Sequence, residues 1–138
     1  MISMTGFALL TFIAWTLLLL VWMELMRSWL VTSGQVAANA FTPDNAGMSP
    51  FMQRLARAHA NCVEGIPVFG GLLAFAMLTG QQDITNGTAL IFLAARLVQS
   101  IIHLFSTSPL AVSARFTFFA VQLMLAIYWC TQLIVAAL

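Results

Sequence analysis

The chain has no lysine, a single tyrosine and only five basic and four acidic side chains. Positive charge this sparse, scattered as single arginines, excludes a nucleic-acid partner. Its two cysteines, Cys62 and Cys130, fall toward opposite ends of their segments, which argues against a disulfide, and neither their number nor their spacing suggests a metal site. No polar stretch is long enough for a soluble domain. What fills the sequence instead is apolar: 62% hydrophobic residues and a mean hydropathy of +0.98, far outside soluble averages. A bilayer crossing takes about 20 residues, so 138 residues hold four spans and short connections. The expectation is one domain over 1–138, an all-α membrane protein built as a four-transmembrane-helix bundle.

The first helix is expected over about 2–29, uncharged up to Met23 and closed by Glu24 and Arg27 one turn apart. Trp15, Trp22 and Trp29 repeat every seven residues on one face, a pattern that fits lipid-facing and interfacial aromatics first and a subunit contact second. Ala38-Asn39-Ala40 resembles a cleavage site. With no basic residue ahead of the apolar run, and with Glu24 and Arg27 in between, a signal peptide is not expected. Residues 30–49 form the one substantial loop, with a tight turn at Thr42-Pro43-Asp44-Asn45. Ser49 and Pro50 read as N-cap and first residue of a second helix over 50–80, bent at Pro67. A turn over Gln81–Gly87, a third helix over 88–106, a tight connection at Ser108-Pro109 and a fourth helix over 111–138 complete the chain. Asn86-Gly87-Thr88 fits a glycosylation sequon and is read as a chance match. Arg27 and Arg54 flank the first loop and Arg115 follows the third, whereas the second has only Asp83. Loops one and three should therefore face the cytoplasm, with both termini on the opposite side.

Arg54, Arg57, Asn61 and Glu64 are spaced 3, 4 and 3 apart, which places them on one stripe of the second helix. Arg96, Gln99 and His103 form a similar stripe on the third helix, and Arg115 with Gln122 a shorter one on the fourth. A charge at mid-membrane depth costs about 2.5–3.5 kcal/mol even on the gentler insertion scale, so the stripes should face one another rather than lipid. Arg54, Arg57, Arg96 and Arg115 give +4 against −1 from Glu64. That excess of +3 calls for an anionic ligand or a water-filled pocket. A zwitterionic peptide with two carboxylates, such as glutathione, fits, with Glu64 for the ammonium; electrostatics alone accepts a phosphorylated lipid headgroup equally.

The run Arg57-Ala58-His59-Ala60-Asn61-Cys62-Val63-Glu64, followed by Pro67 and Phe69, resembles the second-helix signature of the MAPEG family, membrane-associated proteins in eicosanoid and glutathione metabolism. The resemblance implies a homotrimer with active sites between subunits, open to the cytoplasm, and glutathione as co-substrate. Arg57, Asn61 and Glu64 match glutathione-binding positions and Arg96 the family's third-helix arginine. Arg54, Gln99 and His103 join them as candidate glutathione-binding residues. Arg115 is the candidate catalytic arginine facing the glutathione sulfur. The chain departs from the family where many active members carry tyrosines, having Gly65, Gln99 and His103 there.

The leading expectation is a glutathione transferase that conjugates glutathione to lipophilic electrophiles entering from the bilayer, with peroxidase activity as a possible companion. The alternative is a non-catalytic, lipid- or glutathione-binding scaffold. A small four-helix exporter is disfavoured, because Glu24 sits at the end of the first helix rather than inside it. The charge excess is best enclosed at a subunit boundary, so native mass spectrometry of detergent-purified protein should show three-chain assemblies. A spectrum of monomers alone would contradict this.

Overall fold

The computed structural model describes Met1–Leu138 as four long helices. Helix α1 spans Met4–Thr32, opened by the Ser3 hydroxyl accepting from the Gly6 N–H. Helix α2 opens as read from the sequence, with Ser49 capping Met52 and Pro50 in the first turn. It runs as regular α-helix over Pro50–Gly65, widens into a π-helical turn at Ile66–Gly70 and resumes over Gly71–Leu78. Pro67 has no N–H to give the ladder, and an inserted wide turn absorbs that defect. Helix α3 covers Asp83–Phe105 and α4 Pro109–Ala137, the latter capped by Ser108. All four are long and apolar enough to cross a membrane, and the chain is an integral multi-pass membrane protein.

Several boundaries differ from the sequence reading. Helix α1 continues three residues past Trp29, α2 stops at Leu78 rather than 80, and α4 begins at Pro109 rather than 111. The largest correction is at the second loop, where Asp83–Gly87 belongs to α3 and not to a turn. Asp83 suits a helix N-terminus. One turn on, Asn86 Oδ1 accepts from both the backbone N–H and the hydroxyl of Thr5, at 3.0 and 2.8 Å. Thr5 also bonds Thr85 at 2.6 Å, so Asn86 has a packing role between α1 and α3.

Helix α3 is the centre of the bundle and contacts the other three, while α4 packs mainly on α3. The core is an aromatic relay: Phe92 lies 5.6 Å from Phe12, 5.3 Å from Phe69 and 5.6 Å from Trp129 between ring centroids. The Trp129 indole N–H is spent on the Thr88 hydroxyl at 2.8 Å, as a buried indole requires. Because α4 leans on α3, the first half of α2 and the start of α4 stay apart. The gap between them is floored by α3.

The loop after α1 is folded rather than slack. Arg27 donates to Asn45 Oδ1 through Nε at 2.9 Å and a terminal nitrogen at 2.6 Å, and to the Thr42 carbonyl at 3.0 Å. Asn45, fully buried and at a positive φ of 56°, passes the connection on by donating to the Met52 carbonyl at 2.9 Å. The neighbouring Asp44 carboxyl is held below the usual carboxylate range by the Thr42 hydroxyl and then by the Ala46 N–H. Its small contribution to the turn is present at neutral pH and fades as pH falls through the lowered value. Replacing Asn45 by Ala removes two of the hydrogen bonds of Arg27 and the one to the Met52 carbonyl, a loss of roughly 1–3 kcal/mol. Proteolysis of Asn45→Ala within residues 33–48 should accelerate at least about fivefold in detergent. A wild-type cleavage rate would show that Asn45 does not hold the loop.

Candidate functional site

Two cavities occupy the α2–α4 gap. The first, about 390 Å³, is walled by Gln53, Arg54 and Arg57 of α2, His103 of α3, Thr107 of the connection and Arg115 of α4. It contains three guanidinium groups and no carboxylate. Arg54 is the anchored member: its Nε donates to the Leu104 carbonyl at 2.7 Å, satisfying a carbonyl left open at the end of α3. Arg57 is exposed, and Arg115 is half-buried with an Nε that finds no acceptor.

The second cavity, about 280 Å³, lies further along the same helices and is lined by Asn61, Glu64, Gly65, Phe69, Arg96 and Phe119, among others. Arg96 dominates it. The side chain is 0% exposed, donates to Asn61 Oδ1 at 2.8 Å, and lies 5.1 Å from the ring centroids of both Phe12 and Phe69. Two aromatic faces and one amide oxygen ease the burial of the cation, but no carboxylate neutralises it and its Nε has no partner. The molecule's single ion pair is Arg27 with Glu24, at 3.0 Å. Glu64 is therefore not an internal counterion for Arg57 or Arg96, and its side chain lies open at the cavity edge.

The stripes read from the sequence do meet, although they do not build one pocket. Arg54, Arg57, His103 and Arg115 gather in the first cavity, and Asn61, Glu64 and Arg96 in the second. Gln99 lines neither: it is buried and accepts from Gln122 at 2.9 Å, which spends it on the α3–α4 contact. Cys62 and Ser100, likewise absent from the expected site, sit 3.4 Å apart between α2 and α3. Sequence reasoning missed Phe119 as a cavity wall, and noted Gly65 only as a departure from the family's tyrosines. Phe119 follows Arg115 by one turn, a spacing that could have found it; Gly65 has no side chain of its own to read, and its place beside Glu64 is the only pointer.

These contacts separate structural from ligand-directed residues. Asn61→Leu should lower stability by roughly 1–3 kcal/mol by stranding the buried Arg96. Glu64→Gln should change it by no more than about 0.5 kcal/mol, because Glu64 has no partner within the chain. Thermal unfolding in detergent decides: an equal loss in both variants would make Glu64 a fold residue.

Neither a similar curated protein nor a similar solved structure was found. The family model described as the MAPEG family matches residues 6–135, which takes in all of both cavities and nearly all of the four helices. With the second-helix motif, the four-span architecture and this match in agreement, the chain belongs to the MAPEG family.

Proposed function

We propose that this protein is a membrane-bound glutathione transferase, working as a homotrimer and conjugating glutathione to lipophilic electrophiles that arrive from the bilayer. The observation that carries the reading is the electrostatics of the α2–α4 gap: four arginines and one carboxylate line it with no ion pair among them. Unpaired charge of both signs in a low-dielectric setting is costly unless a ligand completes it. Glutathione brings two carboxylates, an ammonium and a thiol to that arrangement.

In this assignment Glu64 takes the γ-glutamyl ammonium and Arg96 the adjacent carboxylate, while Asn61, its carbonyl committed to Arg96, offers its amide N–H groups. Arg54 and Arg57 receive the glycyl carboxylate, and His103 faces the same cavity. Arg115, on the opposite wall, is assigned to the sulfur. A thiol with an ordinary pKa of about 8.5 is only a few per cent ionised at pH 7, and lowering it by two units takes about 2.7 kcal/mol. One guanidinium placed against the sulfur supplies an effect of that size. The conjugation then needs only the thiolate and an electrophile: sulfur attacks carbon and the leaving group departs with the bond pair. Opening of the site toward the cytoplasm follows from the arginines that flank loops one and three.

A non-catalytic glutathione- or lipid-binding role is the second reading, favoured by one observation. The only tyrosine, Tyr128, is exposed on the distal part of α4 and lines neither cavity, so no phenol stands near the proposed sulfur position. A conjugation assay with a generic aryl halide separates the two readings, since only the enzyme forms product.

Two variants test the assignment. Glu64→Gln should weaken glutathione binding roughly ten- to a hundredfold, the worth of one charge-assisted bond, and calorimetry showing unchanged affinity would remove Glu64 from the site. Arg115→Ala should leave binding nearly intact while the thiolate absorbance of the complex collapses and the conjugation rate falls about a hundredfold. Retention of that absorbance, with its loss in Arg96→Ala, would transfer the role to Arg96.

A further inference from the structure

The first cavity holds more positive charge than the fold uses. Arg54, Arg57 and Arg115 face it, no carboxylate is among its walls, and none of the three has an acidic partner elsewhere in the chain. The cavity also lies at the ends of three helices. Pro50 in its wall is the first residue of α2, Thr107 stands two residues before the start of α4, and Arg54 reaches the last turn of α3. Two helix N-termini, the positive ends of their dipoles, therefore border the same space and add to the pull of the guanidinium groups on an anion. The one negative helix end at this level, that of α3, is already engaged by Arg54 through the Leu104 carbonyl.

That position sets the depth of the cavity in the membrane. Helices that cross a bilayer begin and end near its boundary, so the starts of α2 and α4 and the end of α3 put the three arginines at the level of lipid headgroups. The surroundings turn from ionic to apolar within a few residues: Phe105 at the end of α3, and Leu110 and Phe116 near the start of α4, are largely exposed. Phe116 directly follows Arg115. An amphiphile fits both halves of this arrangement, with an anionic head among the guanidinium groups and apolar tails along the exposed side chains. A free anion uses only the first half.

We propose that the first cavity holds the phosphate of an anionic membrane lipid, its acyl chains lying over Leu110 and Phe116, and that glutathione displaces this headgroup to seat its glycyl carboxylate. Guanidinium forks match phosphate oxygens. Arg54 is set in advance, because its Nε is fixed on the Leu104 carbonyl and its terminal nitrogens are left for the ligand. A headgroup with its own ammonium brings a cation toward three others and is disfavoured, so the lipid is one with net negative charge. The anionic-lipid content of the membrane thereby sets how much glutathione is needed to fill the gap. The competition rests on the glutathione reading above; the lipid site does not.

The test titrates full-length protein in detergent with phosphatidylglycerol or phosphatidylcholine and reads bound lipid by native mass spectrometry. Wild type should retain phosphatidylglycerol about tenfold more tightly, the scale of two or three arginines acting on an anionic headgroup, and the preference should shrink as ammonium acetate is raised. The double variant Arg57→Gln, Arg115→Gln strands no carboxylate, so its thermal midpoint should stay near wild type while the preference disappears. Saturating glutathione should displace phosphatidylglycerol from wild type, and inorganic phosphate at the lipid's own concentration should not, having no tails. Equal retention of the two lipids, a preference insensitive to salt, or one that survives in the double variant would overturn the proposal. So would phosphatidylglycerol and glutathione bound together, which puts the lipid outside the cavity, or displacement by inorganic phosphate, which assigns the cavity to a free anion. If wild type fails to bind glutathione, the transferase reading falls, and the lipid preference with its loss in the double variant still decides the lipid site.

Discussion

A guanidinium buried among apolar helices without a counterion is the constraint around which this bundle is arranged. Arg96 sits on the central helix, 0% exposed, and every element nearby contributes to making it tolerable. Helix α1 brings Phe12, and α2 brings Phe69, Asn61 and the bare Gly65. Replacing such a cation by a well-packed apolar residue is often neutral or stabilising, so stability alone gives no reason to keep it. Its unpartnered Nε and its place in a cavity wall point to a use outside the fold, and the chemistry proposed for the α2–α4 gap follows from that.

The five arginines divide by what they touch. Arg27 makes four hydrogen bonds, to Glu24, Asn45 and the Thr42 carbonyl, and acts as the clamp of the first loop. Arg54 closes the end of α3 through the Leu104 carbonyl while showing the rest of its guanidinium to the first cavity. Arg57, Arg96 and Arg115 have no acidic partner. A cation with an acidic partner and most of its donors used is structural; one without an acidic partner in a membrane setting is directed at something that is not protein.

Much of this was legible in the sequence because it rests on period and charge. Four apolar runs, the Ser-Pro start of α2, and the i, i+3/i+4 stripes on three helices follow from spacing alone, whereas Ser108-Pro109, read as a connection, opens α4. The resemblance of the Arg57–Phe69 run added the family. What could not be read has particular causes. Asn86 and Gly87 look like turn formers, yet a tertiary bond to Thr5 draws them into α3, and no local propensity anticipates a partner 81 residues away. Gln99 lies on the right stripe and still faces α4, since a stripe fixes an angle but not which neighbour fills it. The division into two cavities depends on how far α4 leans from α2, a packing outcome with no signature in one helix. The close approach of Arg96 to the backbone at Gly65 is visible only once Arg96 is in place.

The central claim is that the unpaired charges of the α2–α4 gap are completed by glutathione. Density for the tripeptide in a structure of the glutathione-soaked protein tests it most directly. The account predicts the γ-glutamyl end between Glu64 and Arg96, the glycyl carboxylate among Arg54 and Arg57, and the sulfur nearest Arg115. A tripeptide bound elsewhere, or both cavities filled only by water at saturating glutathione, would contradict it.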